Sequence, residues 1–329
     1  MPFIDFHSHI VPDRFPQDES GEAGWPDVRH LNDGAAEIFI AGRVFRRIDL
    51  RSWDVAARLK DMSQDGIDIQ VLSPMPELLS YWFEPAAGER ICTATNAFIM
   101  SMVNAAPDRF RGIGMVPLQD PERAAAMVPD LRASGMIGVE IGSHVNGVPL
   151  GDASLDPFFK AAEAEGLMLM VHALHPAGVD RIGAAPDMAA AAVFPLETAL
   201  AATSLMANGV PDRFPGLKIM LCHGGGALSA ILPRLDHAWR SGLSLSKTMP
   251  RRPSEVARDF YYDTLVYDQG PLALLCDTVE QERLVMGTDY PFAVMQSDPV
   301  AFLKSAASKS AEAIAGGSAA LLKTGVKPK

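Results

Sequence analysis

Histidine and aspartate residues stand where four apolar stretches of the sequence end. His7 and His9 close "FIDFHSH", and His172 closes "LMLMVH". His223 closes "LKIMLCH", and Asp289 closes "RLVMGTD". Imidazole nitrogens and carboxylate oxygens are ligands that divalent transition metals accept. These residue types at these positions therefore predict a metal site.

The first of these stretches carries two histidines separated by one residue. In a β-strand, side chains two positions apart point to the same face, so His7 and His9 could bind one ion together. Asp5 shares that spacing and is expected deeper in the strand, as a partner of the ligands. The pair alone is equally compatible with two hydrogen-bonded structural histidines.

Four predicted strands end in histidine or aspartate, and this recurrence favours a metal site over separate structural histidines. Burying so many ionisable groups without partners would be costly. Three histidines and Asp289 leave one position open for water, which is typical of a catalytic metal site. One further histidine must then stay off the metal as general base or acid. We assign this role to His223, because the glycines at 224–226 let the backbone approach it closely. The glycines are also compatible with a tight strand-to-helix turn, and both interpretations can hold.

Three other histidines are weaker candidates. His30 falls in an inserted segment, and His144 follows the fourth apolar stretch, where it could line the mouth of a site. His237 falls in a helical pattern and is expected on the surface or in an interface.

Short apolar or β-branched stretches alternate with helical patterns along the chain. One helical pattern is "WDVAARLKDMSQDG", with Asp54 at its start and Gly66 at its end. Eight alternations in 329 residues predict an α/β fold of the (β/α)8 barrel type, in which active sites lie at the carboxyl ends of the strands. A doubly wound sheet is the structural alternative. The candidate strands are "FIDFHSH", "IDIQVLS", "FRGIGMVPL", "IGVEIGS", "LMLMVHA", "LKIMLCHG", "FYYDTLV" and "RLVMGTD".

Residues 13–51 interrupt the alternation directly after the first strand. The stretch "AEIFIAGRVFRRID" predicts a β-hairpin around Ala41 and Gly42. An insertion at this point of a barrel would cover the catalytic mouth. We therefore expect a single domain over residues 1–329, with 13–51 as a small cap.

Composition excludes several classes of partner. A net charge of -11 without a long basic block argues against nucleic acid. Three widely spaced cysteines suggest a reducing compartment, and the N-terminus has no signal-peptide pattern, so a cytoplasmic location is expected. The alanine-rich stretch at 187–209 comes nearest to a membrane span, but Asp187, Pro195 and Glu197 interrupt it. We expect a buried helix pair there and no membrane partner.

The order of these motifs resembles the amidohydrolase superfamily. Within it, the chain is similar to the metal-dependent, O₂-independent decarboxylases of the aminocarboxymuconate-semialdehyde type. The similarity extends over nearly the whole sequence, and "CHGGG" and "GTDYPF" are its specific motifs. The resemblance implies a carboxy-lyase with a Zn²⁺ site, Mn²⁺ being possible, and no organic cofactor.

The resemblance also implies roles for individual residues. His7, His9, His172 and Asp289 would hold the ion with one water, and His223 would deprotonate that water. The hydroxide would add to the unsaturated carbon beside a carboxylate, and protonation and CO₂ loss would follow. Asp289 would thus belong to both the metal site and the catalytic set.

Two arginines match the family's carboxylate-binding positions. Arg46 would bind the carboxylate of a small-molecule substrate, and Arg234 would reach the neighbouring subunit's site. That implies a homodimer or a dimer of dimers, and it supplies the positive charge that an anionic substrate requires. For Arg47 and Arg51 we expect surface ion pairs.

The chain departs from the family pattern around the predicted substrate. After His172 it reads "ALHP", where these relatives read "PWDM", and "PFAVMQ" stands where they read "PFPLGE". His175 is therefore a candidate substrate-binding residue, with a metal contact as the lesser alternative. The departures leave three hypotheses: a nonoxidative decarboxylase, a metal-dependent hydrolase of a lactone, amide or C–C bond in aromatic catabolism, and a catalytically silent barrel. The complete ligand set argues against the last.

Overall fold

The structure is a computed structural model that describes residues 1–17, 21, 24–183, 188–242, 244–306 and 308–322. Parallel strands buried on both faces are typical of barrels that helices cover, and the long apolar stretches form such strands here. In chain order the strands are β1 (Ile4–Ile10), β2 (Asp27–His30), β3 (Ala36–Ile40), β4 (Arg43–Ile48), β5 (Ile69–Pro74), β6 (Phe110–Gly114), β7 (Gly138–Gly142), β8 (His144–Val145), β9 (Val148–Pro149), β10 (Met168–His172), β11 (Ile219–Leu221), β12 (Tyr261–Asp263) and β13 (Leu284–Val285).

Eight of these strands form one sheet in the order β1-β5-β6-β7-β10-β11-β12-β13, and all the strand pairs within it are parallel. Bridges from Asp5 to Met286 and from Ser8 to Tyr290 join its last part to β1. The sheet is therefore a (β/α)8 barrel, which confirms the predicted fold class. A doubly wound sheet is excluded because its two edges would stay apart.

Helices surround the barrel. Two predicted boundaries are confirmed in the first of them: the Asp54 side chain accepts a hydrogen bond from Ala57 N, and Gly66 ends the helix in the left-handed conformation. The helices are α1 (Val55–Asp65), α2 (Pro85–Ala105), α3 (Pro121–Ser134), α4 (Asp156–Glu165), α5 (Val179–Ile182), α6 (Phe194–Ala207), α7 (Val210–Arg213), α8 (Leu228–Arg240), α9 (Leu245–Thr248), α10 (Pro253–Val256), α11 (Gln269–Thr278), α12 (Pro299–Ala306) and α13 (Ser308–Leu322).

The first strand pairs irregularly with β5 near its histidines. Ile4 and Phe6 pack in a cluster with Val71 and other barrel residues, yet His7, which follows Phe6 directly, contacts the other site histidines. The pairing of β1 with β5 shifts register between Asp5 and Ser8, as a β-bulge does. The irregularity lies at His7, the first of the two histidines that β1 contributes to the site.

A three-stranded antiparallel sheet follows β1. Strands β3 and β4 form the predicted hairpin, with Ala41 and Gly42 both at positive φ, and β2 adds a strand that the sequence pattern did not reveal. Ala36 and Ile38 are buried in the main hydrophobic core, so this cap packs firmly against the barrel.

The alanine-rich stretch forms one continuous helix, so the expected helix pair is wrong. A π-helical segment, Ala189–Val193, runs directly into α6. The segment Ala189–Ala207 is long and apolar enough to cross a membrane, and 44% of its most apolar window is buried inside the protein. Core helices of water-soluble proteins pass the same test. Asp187 lies outside the described residues.

Candidate metal centre

Four predicted ligands come together at the carboxyl ends of three strands. Ligand atoms of His7, His9, His172 and Asp289 all lie within 4.8 Å of one another, and all four residues are buried. The first two come from β1, the third ends β10, and Asp289 follows β13. The sequence separates these residues by up to 282 positions, and closure of the barrel unites them.

Hydrogen bonds orient each imidazole. His7 Nδ1 lies 2.6 Å from Asp263 Oδ2, His9 Nδ1 lies 2.9 Å from the carbonyl oxygen of Pro74, and His172 Nδ1 lies 2.8 Å from that of Ala173. All three partners are acceptors, so each Nδ1 carries the hydrogen and each Nε2 keeps a lone pair. This arrangement is the one that metal-ligating histidines show.

The Nε2 atoms of these histidines face one another, an arrangement that a bound cation would stabilise. His7 Nε2 and His9 Nε2 are 3.1 Å apart, although neither can donate to the other in these tautomers. In the described part of the chain, His172 Nε2 and Asp289 Oδ1 are buried without a hydrogen-bond partner. Such orphaned atoms are costly unless something binds them. Nitrogen and carboxylate donors in this number suit Zn²⁺ or Mn²⁺.

The charge states of His9, His172 and Asp289 agree with metal binding. Burial lowers the pKa of His9 and lowers that of His172 well below its usual range, so both imidazoles stay neutral. Burial acts to raise the pKa of Asp289, but the His9 and His7 imidazoles hold it below its usual value. His9 and His172 thus present neutral nitrogens beside the Asp289 carboxylate.

His223 lies beside this cluster without joining it. Its ring centroid is 4.9 Å from that of His172 and 5.3 Å from that of His7. Burial lowers the pKa of His223 to about 4, so the imidazole is neutral and can accept a proton at neutral pH.

The glycines after His223 allow two close approaches. His223 and Gly224 both have positive φ, and their backbone N–H groups donate to Asp263. A Cβ atom on Gly226 would lie 1.7 Å from the carbonyl oxygen of Pro195, at the start of α6. The glycine run therefore serves both interpretations of the sequence, a tight turn and close backbone approach.

Asp263 is a residue of the site that the sequence reasoning missed. It ends β12, and its Oδ2 accepts from both His7 Nδ1 and His223 N, so one carboxylate fixes a ligand and the general-base candidate. Burial acts to raise its pKa, but the bond from His7 and the other donors hold it below the usual value. The signal was available, because Asp263 is a charged residue in the middle of the apolar stretch "FYYDTLV".

Glu140 was also missed. It lies fully buried in β7, and in the described part of the protein neither carboxylate oxygen has a hydrogen-bond partner. Its Oε2 is 3.9 Å from His9 Nδ1, and burial raises its pKa to about 8. A charged residue in the middle of the apolar stretch "IGVEIGS" was the sequence signal.

A cavity of about 1800 Å³ opens from these residues toward the cap. His172, His223 and Asp289 lie along it, and Arg46 of β4 lines its cap side. The Arg46 guanidinium carbon lies 4.4 Å from the centroid of the Phe292 ring, and that ring stacks on His9 at 5.2 Å. Phe292 thus bridges the predicted carboxylate-binding arginine and a predicted metal ligand.

The other predicted arginines have different surroundings. Arg47 pairs with Asp33, and Arg51 pairs with Asp49 at 2.8 Å, as expected for ion pairs, although both pairs border the cavity. Arg234 is exposed on α8 and does not line its own subunit's cavity.

The remaining histidines lie outside the metal cluster. His30 Nε2 bonds the carbonyl oxygen of Asp13 in the cap, and His237 is exposed on α8. His144 packs beside His175, which lines the cavity and bonds Glu77. Within the described residues, His175 is not part of the metal cluster, so the alternative of a metal contact finds no support there.

Comparisons with known proteins agree with this geometry. The sequence profile of the amidohydrolase family matches residues 4–321. The chain is 33% identical to 2-amino-3-carboxymuconate-6-semialdehyde decarboxylase of Dictyostelium discoideum, over 92% of this chain and 85% of that protein. It resembles the crystal structure of 5-carboxyvanillate decarboxylase from Sphingomonas paucimobilis with a TM-score of 0.75 and 30% identity, over 83% of this chain and 84% of that one.

A third comparison is with a structure of the same fold that holds a metal. It is dihydroxybenzoic acid decarboxylase from Polaromonas with bound manganese and 2-nitroresorcinol. Its TM-score is 0.76 at 21% identity, over 98% of this chain and 97% of that one.

Proposed function

The chain belongs to the amidohydrolase family, and on that basis we propose that it is a metal-dependent, nonoxidative decarboxylase of a small unsaturated or aromatic carboxylic acid. The observation that carries the proposal is the convergence of three Nε2 lone pairs and Asp289 at the inner end of the cavity. The decarboxylase activities that name the relatives support the reaction type.

A divalent ion bound at this site would acidify a water molecule and polarise a substrate oxygen. His7, His9, His172 and Asp289 would hold the ion. His223 would accept the proton of the attacking water, because its imidazole is neutral and lies beside the ligands. The same imidazolium would then protonate the substrate carbon. As CO₂ leaves, the electron pair of the broken C–C bond would expel the added hydroxide and restore the unsaturated bond.

Arg46 would bind a substrate carboxylate at the cap side of the cavity. Its stacking on Phe292 holds the guanidinium near His9, so a bound carboxylate would lie between the arginine and the ligand cluster. We propose Zn²⁺ as the ion, with Mn²⁺ as the alternative that the manganese-containing neighbour suggests.

The experiment that tests the reaction type is an assay of the metal-loaded protein with a panel of substrates. The panel holds muconate semialdehydes, hydroxybenzoates and lactones, and each reaction is followed for CO₂ release and for hydrolysis. CO₂ release from at least one acid, lost on metal removal, is the expected result. Hydrolysis without CO₂ release would replace the proposal with a metal-dependent hydrolase.

We further propose a homodimer in which Arg234 contributes to the neighbouring subunit's site. Its exposure on α8, away from its own cavity, supports this role. Mixing inactive Arg234→Ala chains with inactive His223→Ala chains should restore part of the activity, because one site of each heterodimer would be intact. No recovery in heterodimers that demonstrably form would disprove the sharing.

A further inference from the structure

The loop after β10 holds a polar group that the decarboxylase mechanism does not use. We propose that His175, held by Glu77 and Trp82, forms a second subsite that binds an anionic oxygen substituent of the substrate. The inference rests on the proposed function and narrows its substrate class to acids with a second acidic group, such as a carboxylate or a phenolate.

Two side chains fix the His175 ring. Its Nε2 lies 3.0 Å and 3.1 Å from the two carboxylate oxygens of Glu77. Its ring stacks on Trp82 with centroids 4.9 Å apart and planes inclined by 28°. The His175 side chain is 48% exposed, whereas that of Glu77 is only 17% exposed, so the carboxylate lies behind the ring.

The backbone of this residue is constrained as well. His175 has a φ of 42°, in the left-handed region that residues other than glycine seldom adopt. His144 Nε2 lies 3.3 Å from the carbonyl oxygen of His175, and His144 Nδ1 accepts from Gly147 N, so Nε2 is the donor. Ring and backbone are therefore held in place before a ligand arrives, which lowers the entropy cost of binding.

The free edge of the ring is suited to an acceptor. In the described part of the chain, His175 Nδ1 has no hydrogen-bond partner, while Nε2 faces a carboxylate and must carry its hydrogen. The hydrogen bond that His175 donates to the Glu77 carboxylate raises the pKa of His175, which favours the imidazolium with a second N–H at Nδ1. A charge-assisted donor of this kind prefers an anionic oxygen.

Apolar side chains line the cavity that His175 shares with the metal cluster. His175 and Arg46 both line the cavity, and Leu174, Phe194 and Phe292 supply apolar surface in it. A flat unsaturated skeleton would lie against that surface, with one acidic group near Arg46 and the ligand cluster and the other at His175.

Two substitutions distinguish the proposed donor, His175 Nδ1, from the Nε2 contact with Glu77. His175→Gln can keep the contact with Glu77 through its amide but has no group at the Nδ1 position. His175→Asn keeps an N–H near the Nδ1 position, and asparagine tolerates positive φ. Both variants lose the stacking on Trp82, so each controls for that loss in the other. His237→Gln, an exposed histidine of α8 outside the cavity, is the control for histidine replacement.

The probes are benzoate, isophthalate and terephthalate, titrated calorimetrically into the metal-loaded protein. We expect the better diacid to bind at least about tenfold more tightly than benzoate, as one charge-assisted hydrogen bond allows. His175→Gln should abolish that preference, His175→Asn should keep part of it, and benzoate binding should change little in either.

Three results would overturn the subsite. They are a wild-type protein without preference for a diacid, a preference that survives His175→Gln, and equal loss of preference in both variants. None of these measurements depends on turnover. A failed CO₂ assay would disprove the reaction and leave the subsite intact. Loss of the diacid preference would disprove the subsite and leave the reaction intact.

Discussion

Replacement of Asp263 by asparagine should weaken the metal site through His7. Asp263 Oδ2 accepts from His7 Nδ1 at 2.6 Å and from His223 N at 2.9 Å. Asp263 Oδ1 accepts from Gly224 N at 2.7 Å and from Leu265 N at 3.1 Å. An asparagine side chain has one oxygen, so in either orientation two of these donors would face an NH₂ group.

The magnitude follows from the donors left without acceptors. Each orphaned buried donor costs about 1–3 kcal/mol, so two should lower the free energy of unfolding by about 2–6 kcal/mol. If the amide faces His7, the imidazole loses its orienting acceptor, and losses of this kind weaken metal binding by about 10–100-fold. The expected result is therefore a folded but less stable protein with reduced metal affinity.

The assay is competition for Zn²⁺ and Mn²⁺ against a chromophoric chelator, with circular dichroism to verify folding. Asp5→Asn is the matched control, because Asp5 is equally buried and accepts from Gln70 Nε2, Thr288 Oγ1 and the backbone N–H of His7, but contacts no imidazole. It should lose stability with a smaller change in metal affinity. Wild-type affinity in a folded Asp263→Asn protein, or equal losses in both variants, would refute the reasoning.

Three further predictions concern neighbouring residues. His223→Ala should abolish turnover while metal content by atomic absorption stays near that of the wild type, because the imidazole lies beside the ligand cluster; loss of metal would make His223 a ligand. Glu140 keeps its proton up to about pH 8 in the folded chain, whereas the unfolded chain releases it near 4.5, so the free energy of unfolding of the metal-free protein should fall as pH rises through that window. Glu140→Gln should flatten this decline in urea titrations at pH 5 and pH 8, and an unchanged slope would contradict the assignment. Gly226→Ala should destabilise the fold by several kcal/mol in chemical denaturation, since its Cβ would meet Pro195 O at 1.7 Å. Gly242→Ala, at a similar positive φ of 75° but with open space around it, should cost far less, and equal losses would assign the effect to φ alone.

Local patterns were sufficient for the architecture. Apolar stretches and helical periodicity predicted all eight barrel strands, and Asp54 and Gly66 marked the ends of α1. These features depend on neighbouring residues, since a cap or a strand is encoded within a few positions of itself. The hairpin at Ala41 and Gly42 is likewise encoded by neighbouring residues. Strand β2, in contrast, is short and largely exposed, without a clear alternation of apolar and polar residues.

The candidate ligands were also evident in the sequence. Histidine and aspartate at the ends of buried strands are costly to bury unless they have partners, such as a shared metal ion. His7, His9, His172, His223 and Asp289 were identified in this way, and the barrel brings all five together. What a strand end faces depends on which strands become neighbours and how they are staggered, and the sequence does not show that.

The partners of these residues were decided by the tertiary structure alone. Asp263 bonds His7 across 256 positions, and Phe292 joins His9 to Arg46 of the cap. The register shift of β1 beside His7 has no sequence signal that we identified. Hydrogen bonds and stacking act over a few ångströms between residues that the chain separates widely. Residue types can therefore reveal which groups must share a site, but only closure of the barrel determines which atom of each meets which.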